Sequence, residues 1–333
     1  MHTPPPGPAV DPRGDAEVVV LDADGHLREV LSLLDDAERE AGLPLVDESE
    51  HERLDVLASA GPRPANWRSA LLRRGAEAVA YAAVTASPGF DRGSGDVAVR
   101  RPIRDAESVT ARALTAARSL AAELGVAHVQ VWMRAVGPAE HDAAAAAGFH
   151  LERQLYVLGR ALPTDDPVGA VALERLTSAG TTVRAYVPDR DDAEVVAVLA
   201  AAYDGTADGG WDLARFRERR SWSWFRPEDL LVAVDPDGSL AGLHWLKRRG
   251  AASGEVYNLA VHPRAQGRGV GPALLHAGVC HLVDIGCDEV VLWVDGANER
   301  AVRLYQRHGF ATRWEDIAVG SGTGVTADRA PRG

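Results

Sequence analysis

The chain has 333 residues, enough for two domains of ordinary size. With 46% apolar and 25% charged residues it reads as globular, and it has no apolar run of about 18 residues that could span a membrane. A net charge of −12 disfavours non-specific binding to nucleic acid. Its two cysteines, Cys280 and Cys287, have no Cys/His cluster at zinc spacing around them, so no metal site is expected. Reduced thiols in a cytoplasmic protein are expected instead.

In chain order, residues 1–15 (MHTPPPGPAVDPRGD) lack the apolar stretch of a secretory signal and read as a disordered tail. A first domain is expected over 16–162. The Pro/Asp/Gly-rich piece ALPTDDPVG (161–169) breaks the pattern and predicts a linker over 163–180. The second domain, 181–320, alternates strands and helices. TVRAYV reads as a strand, and DDAEVVAVLAAAY as a helix with Asp191 or Asp192 near its N-cap. LLVAVDPDGSLAGLHWLK reads as a hairpin turning at DPDG. Then come the strand GEVYNLAV, a helix stopped at Gly286, the strand EVVLWVD, and a helix from Asn298 to Gly309. FATRWEDIAV is the last strand, and residues 321–333 read as a second tail. Cys280 and Cys287 fall seven apart on one predicted helix, hence on one face, where core packing is the default. The implied fold class is mixed α/β, helices covering a sheet.

The two halves are related at a spacing of 161 residues. ALTAARSLAAELGVAHVQVWM (113–133) falls on LLHAGVCHLVDIGCDEVVLWV (274–294) without a gap. Gly125 lands on Gly286, Trp132 on Trp293, Gly148 on Gly309, Phe149 on Phe310 and Pro102 on Pro263. This is the pattern of a tandem duplication.

Between the strand VYNLAV and the helix GPALLHAG lies QGRGVG (266–271). Backbone N–H groups at a helix start have no intrahelical acceptor and carry partial positive charge. Glycines let that backbone approach an anion and take φ > 0, so the loop suits a phosphate, with Arg264 and Arg268 adding charge. The lysine of a P-loop is absent, and the G-x-G-x-G spacing fits a dinucleotide fingerprint poorly. A plain helix-start turn without a ligand is the alternative.

The order LAVHP, QGRGVG, helix, then ANERAVRLYQRHGF resembles the GNAT acetyltransferase family across residues 182–319. The first half is similar to the same fold but degenerate. Gln266, Gly267, Gly269 and Gly271 fall on Asp105, Ala106, Ser108 and Thr110, and Tyr305 falls on Ala144. The resemblance implies two tandem GNAT acyl-CoA N-acyltransferase domains, only the second of them catalytic. Within that fold, GGW (209–211), RERRSWSWFRPEDLLVAV (217–234), GLHWLK (242–247), GEVYNLAVHPRAQGRG (254–269) and VRLYQRHGF (302–310) resemble the mycothiol synthase family. That family acetylates the cysteinyl amine of Cys-GlcN-Ins, a small-molecule acceptor, from acetyl-CoA and without a metal.

Carried over residue by residue, the resemblance makes Glu255 the general base for the amine and Tyr305 the general acid for the CoA thiolate. Leu259, Ala260, Val261, Gln266, Gly267, Arg268, Gly269, Val270, Gly271 and Pro272 correspond to the acetyl-CoA cradle. Asn298, Glu299, Arg300, Ala301, Val302 and Arg303 correspond to the cradle's other wall. An oxyanion donor is expected from a backbone N–H of NLAV. Lys247, Trp293, Asp208 and, from DES (47–49), Glu48 are the acceptor contacts implied. Trp293 stands where the family usually has Tyr, and TAD stands where it has H-P-E, so the acceptor is the point most open to change. Rival readings are a GNAT enzyme for another amine or aminosugar, and an acyl-CoA-binding regulator without turnover. Trp211, Trp222, Trp224 and Phe225 read as core or pocket wall. A monomer without nucleic-acid or membrane partners is expected.

Overall fold

The computed structural model describes residues 17–20 and 26–321 except 88, 90, 104, 164, 207, 250 and 251. The expected tails therefore lie almost wholly outside the described residues. The chain forms two compact units. One comprises residues up to Leu155 together with the stretch from Trp314; the other is Tyr156–Arg313.

The first unit contains β1 (Glu17–Val20), α1 (Leu27–Ala41), α2 (Glu48–Ala58), β2 (Trp67–Arg74), β3 (Glu77–Ala86), β4 (Arg92–Val99), α3 (Ala106–Glu123), β5 (His128–Val136) and α4 (Pro138–Ala146). β6 (Phe149–Ala161) then carries the chain into the second unit. There follow α5 (Pro167–Ser178), β7 (Thr182–Ala185), α6 (Asp192–Ala202), α7 (Leu213–Arg220), β8 (Leu230–Val234), β9 (Leu240–Arg249), β10 (Ser253–Val261), α8 (Val270–Asp284), β11 (Glu289–Asp295) and α9 (Glu299–Arg307). β12 (Ala311–Ser321) returns to the first unit. Strand order is β1-β2-β3-β4-β5-β12 in the first unit and β6-β11-β10-β9-β8-β7 in the second.

The repeat is visible in the elements. β5 and α4 begin at His128 and Pro138, and β11 and α9 begin 161 residues later at Glu289 and Glu299. The expected boundaries are corrected at two points. First, the last strand of each half completes the other unit. Ile317 and Val319 of β12 are buried among α3 and β5 side chains, while Leu158 of β6 and the following Leu162 are buried with α8 and β11. Each such side chain contributes roughly 1.5–3 kcal/mol, which fixes the exchange. Second, residues 167–178 are helix α5, not linker. Asp166 caps it by accepting from the Gly169 N–H at 2.9 Å, and Leu176 is buried against α8. Likewise α8 ends at Asp284, so the two cysteines do not share a helix face: Cys280 is exposed on α8, while Cys287 lies past the turn at Gly286 and is buried.

What places the site is a parting of strands. β10 pairs with β11 in parallel only from Ser253 to Val256, yet keeps its antiparallel pairing with β9 to Val261, with a bulge between Val256 and Asn258. Beyond Val256 the β11 side of β10 is left open. Among the described residues no helix is long and apolar enough to cross a membrane, and no group of three or more His, Cys, Asp or Glu is placed to hold a metal ion.

Candidate active site

The opening beside β10 is the mouth of a cavity of about 570 Å³. Its floor is Leu259, Ala260 and Val261 of β10. One wall is the glycine turn, with Gln266, Gly267, Gly269, Val270, Gly271 and Pro272 lining it. Gly267 and Gly269 have φ of 80° and 86°, a region that other residues enter only at a cost. An added Cβ would meet nothing within 4 Å at either, so it is backbone conformation that demands glycine there. Gly269 is the N-cap of α8, and its first-turn residues Val270, Gly271 and Pro272 line the cavity; the N–H groups of Val270 and Gly271 have no intrahelical acceptor. This end suits a phosphate oxyanion.

The opposite wall is α9, capped by Asn298 accepting from the Ala301 N–H at 3.1 Å. Asn298, Arg300, Ala301, Arg303, Leu304, Tyr305 and Arg307 line the cavity from this side. Arg300 donates to Gln266 Oε1 at 2.7 Å and so ties α9 to the glycine turn. Three of the expected cradle residues are not in the lining: Arg268, Glu299 and Val302. Arg268 is held in a bidentate pair with Asp235 at 2.9 and 2.8 Å, so its charge serves the β8–β9 turn and not the cavity. Arg264 likewise donates to the Leu240 carbonyl at 3.1 Å. Glu299 pairs with Arg303 at 2.7 Å. The arginines that line the cavity all come from α9: Arg300, Arg307 and the Glu299-paired Arg303. Of these, sequence reasoning missed Arg307, which lies one helical turn past Arg303 on the same face.

Tyr305 is 7% exposed, faces the cavity and packs edge-on against Phe310 at 5.6 Å. Burial pushes its phenol well above the ordinary value, so it is a neutral O–H donor at neutral pH. A second tyrosine, Tyr203 at the C-terminal end of α6, lines the same cavity and was not singled out from sequence. Its phenol is also pushed up, by burial first and then by Tyr305 and Asp208, with the Leu259 amide acting in the opposite sense. Only its place in the fold reveals it, since an aromatic at a helix end has no signature of its own.

Glu255 sits on β10 on the paired side of the bulge, opposite Lys247 of β9 and Val291 of β11. It is 8% exposed and forms an ion pair with Arg249 at 3.1 Å. Arg249 in turn lies 5.0 Å over the Trp293 ring. Lys247 lies 4.8 Å over Trp224, which packs against Tyr257 at 4.8 Å. The structure thus brings Glu255, Lys247 and Trp293 together on one face of the second unit's sheet, beside β10, while Tyr305 lies in the cavity. Asp208 adds, after burial and Tyr305, to the upward push on the Tyr203 phenol. Glu48 belongs to the first turn of α2 in the first unit and is not part of the cavity lining. Trp211, Phe216 and Trp245 form the core under this face.

The first unit has the same parting of strands, since β4 pairs with β5 only from Arg92 to Asp96. The space beside Val97, Ala98 and Val99 measures only about 10 Å³. Arg101 crosses it to Glu140 at 2.6 Å and to the Ala135 carbonyl, and Arg134 pairs with Asp96 at 2.5 Å. α3 begins at Ala106, so helix occupies the positions that are glycine turn in the repeat.

Comparison with known proteins agrees with this architecture. The acetyltransferase (GNAT) family model matches residues 194–310. A Gordonia bronchialis protein named mycothiol acetyltransferase is 39% identical over 195 residues, 57% of this chain and 62% of that protein, so the chain matches just under two thirds of its length. A Streptomyces avermitilis protein of the same name is 35% identical over 295 residues, covering 88% of this chain and 91% of the relative. Among solved structures, a GCN5-related N-acetyltransferase from Sphaerobacter thermophilus superposes with a TM-score of 0.66 at 22% identity, over 92% of this chain and 95% of that one. A tandem GNAT protein from the clavulanic acid biosynthesis pathway gives 0.63 at 17% identity, over 93% and 100%. These two establish the fold. The extent of the Streptomyces match shows that the chain belongs to the mycothiol acetyltransferase family, within the GNAT acetyltransferases.

Proposed function

We propose that the protein is an acetyl-CoA-dependent N-acetyltransferase whose acceptor is the cysteinyl amine of Cys-GlcN-Ins, giving mycothiol. The observation that carries the reading is the cavity: a splayed strand edge, a glycine turn with two positive-φ residues and three arginines around one volume. That combination fits an extended thioester with a pyrophosphate at one end. The glycine turn and the α8 N-terminus would hold the pyrophosphate, with Arg300, Arg303 and Arg307 around the phosphates, and the open edge of β10 would pair with the pantetheine amides. Only the second unit is read as catalytic, because the matching space of the first is filled.

In this reading Glu255 takes the proton of the cysteinyl ammonium, and the freed nitrogen attacks the thioester carbonyl. A backbone N–H of residues 258–261 steadies the oxyanion. The C–S bond breaks, Tyr305 protonates the departing sulfur, and the nitrogen gives its second proton to Glu255, which has by then passed the first to solvent, leaving the neutral amide. No activated Ser or Cys is needed, because the attack is direct. Lys247, Trp293 and Asp208 would contact the acceptor of this monomeric enzyme. Glu48 of the first unit is proposed as a further acidic contact. A second reading, a related amine as acceptor, is favoured by one observation: Arg249 stacks on Trp293 and pairs with Glu255, which places a cation beside the base.

The test is acetyl-CoA consumption by the purified protein with Cys-GlcN-Ins beside a panel of aminosugars and cysteine conjugates. A kcat/KM for Cys-GlcN-Ins well above the panel supports the first reading. Turnover confined to another amine supports the second. Acetyl-CoA binding without turnover on any amine would leave only a non-catalytic binder.

A further inference from the structure

One titratable cluster of the second unit lies away from the cavity. Cys280 is exposed on α8. One helical turn before it, on the same face, stands His276, with Nε2 3.6 Å from Cys280 Sγ. The other ring nitrogen, Nδ1, is 3.3 Å from Asp166 Oδ2. Asp166 caps α5, and its side chain is only 4% exposed. Burial works against its charge, but hydrogen bonds from His308 and the Gly169 N–H outweigh burial and hold the carboxyl below its ordinary range. A carboxylate can only accept, so His276 Nδ1 carries the proton, and the neutral ring presents a bare Nε2 to the thiol. Nucleophile, base and the group that orients the base thus stand in line. None of the three lines the cavity, and Cys280 lies about 16 Å along α8 from the glycine turn.

The surroundings narrow what this thiol attacks. The charged groups around Cys280 are Asp284 on α8, Asp166 before α5 and Arg160 on β6. Arg160 donates to the carbonyl of His308, behind α9. Acyl transfer passes through an oxyanion that needs donors aimed at it, and two carboxylates oppose one. Thiol–disulfide exchange makes no oxyanion, because the displaced charge leaves on sulfur. Burial first, then Asp284 and Asp166, push the Cys280 thiol up against Arg160. A base must therefore take its proton, and the thiolate so formed is the more nucleophilic for its proton affinity. We propose that Cys280, with His276 as base and Asp166 orienting it, is a modification site that takes low-molecular-weight disulfides of neutral or positive charge and ends as a mixed disulfide.

The step balances. The Cys280 proton goes to His276 Nε2, and Sγ forms a bond to the near sulfur of the disulfide. The old S–S bond breaks, and its electron pair leaves on the far sulfur. That thiolate takes the proton from His276. One disulfide is consumed and one mixed disulfide is formed, with no other oxidant or reductant.

The experiment treats the full-length protein with hydroxyethyl disulfide and locates adducts by intact mass and peptide mapping. The adduct is expected on Cys280, at an unchanged rate in Cys287→Ser. His276→Gln is expected to react about tenfold more slowly at pH 7, and Asp166→Asn, which can still cap α5, about threefold more slowly. The wild-type rate should flatten below the thiol's own ionisation, whereas His276→Gln should climb about tenfold per pH unit, as an unassisted thiol does. The wild-type profile needs no variant to fold. Cystamine, a dication, should outpace the dianion dithiodipropionate by about fivefold more than it does with mercaptoethanol as the attacking thiol. A wild-type rate that climbs without flattening, or one that His276→Gln matches at every pH, would show that exposure alone makes Cys280 react, and would overturn the proposal. So would an adduct on Cys287 in place of Cys280, and a preference for the dianion would overturn the class of disulfide.

Discussion

The two units share one arrangement of strands and helices, and they differ in what occupies the gap where two parallel strands part. In the second unit the gap is a cavity of about 570 Å³ behind a glycine turn. In the first it is about 10 Å³, closed by Arg101 on Glu140 and by the buried pair of Arg134 and Asp96. The parting of strands is thus a property of the fold, and whether a cavity remains there is a property of the side chains placed beside it. A helix that starts early removes the cradle, and two arginines with carboxylate partners fill the space that remains. The plug also satisfies its own charges, so the first unit gains a packed polar core where it gives up a pocket.

Several experiments would sharpen or break this comparison. The largest effect is expected at the proposed base. Glu255→Gln is expected to lower kcat/KM by about 10²–10³-fold with acetyl-CoA affinity unchanged, measured by initial rates and calorimetry. Full activity would remove Glu255 from the mechanism.

Acid should separate the units. His244, fully buried on β9, has Nδ1 2.8 Å from the Leu274 carbonyl, and burial lowers its pKa to about 4. A histidine depressed in the fold contributes its full stability above the unfolded value of about 6.5 and loses it as pH falls towards 4, in total about 3 kcal/mol. In the first unit burial raises the carboxyls of Glu50 and Asp96 instead, so protonation there favours the fold as pH falls. Thermal melts at pH 7 and 4.5, with hydrogen exchange to assign the opening, should show the second unit loosening first. Loosening of the first unit ahead of it would contradict this.

Removing the plug tests whether the first cleft is latent. Arg101→Ala leaves the buried Glu140 short of a partner and is expected to cost about 2 kcal/mol, read from denaturant midpoints. Calorimetry should still find one acetyl-CoA per chain, because helix α3 remains where the glycine turn would be. A second binding event would mean that one arginine is all that distinguishes the units.

Gly269→Ala should weaken acetyl-CoA about tenfold, since alanine pays roughly 1–2 kcal/mol to hold φ near 86°. Ser108→Ala at the matching position of the first unit should change nothing. Smallest of all, Arg268→Ala should alter acetyl-CoA affinity by less than about threefold while Arg300→Ala exceeds it, because the Arg268 charge is already spent on Asp235. The reverse order would show that the pair with Asp235 opens when the ligand arrives.

The sequence by itself determined the succession of elements in the second half, the repeat at 161 residues and the glycine turn that opens α8. These are local properties: apolar periodicity, capping residues, and glycines where the backbone must turn through positive φ. It also marked Asn298 as a cap and Tyr305 as a residue of interest. Tertiary structure alone decided which unit each closing strand completes, because that depends on the cores that β6 and β12 enter. It alone took Arg268 out of the cavity, through a partner 33 positions away, and brought Tyr203 into it. It alone filled the first cleft with Arg101 and Arg134. A side chain's charge and shape can be read from the chain; what it meets depends on contacts between residues far apart in sequence, and those exist only once the sheet has formed.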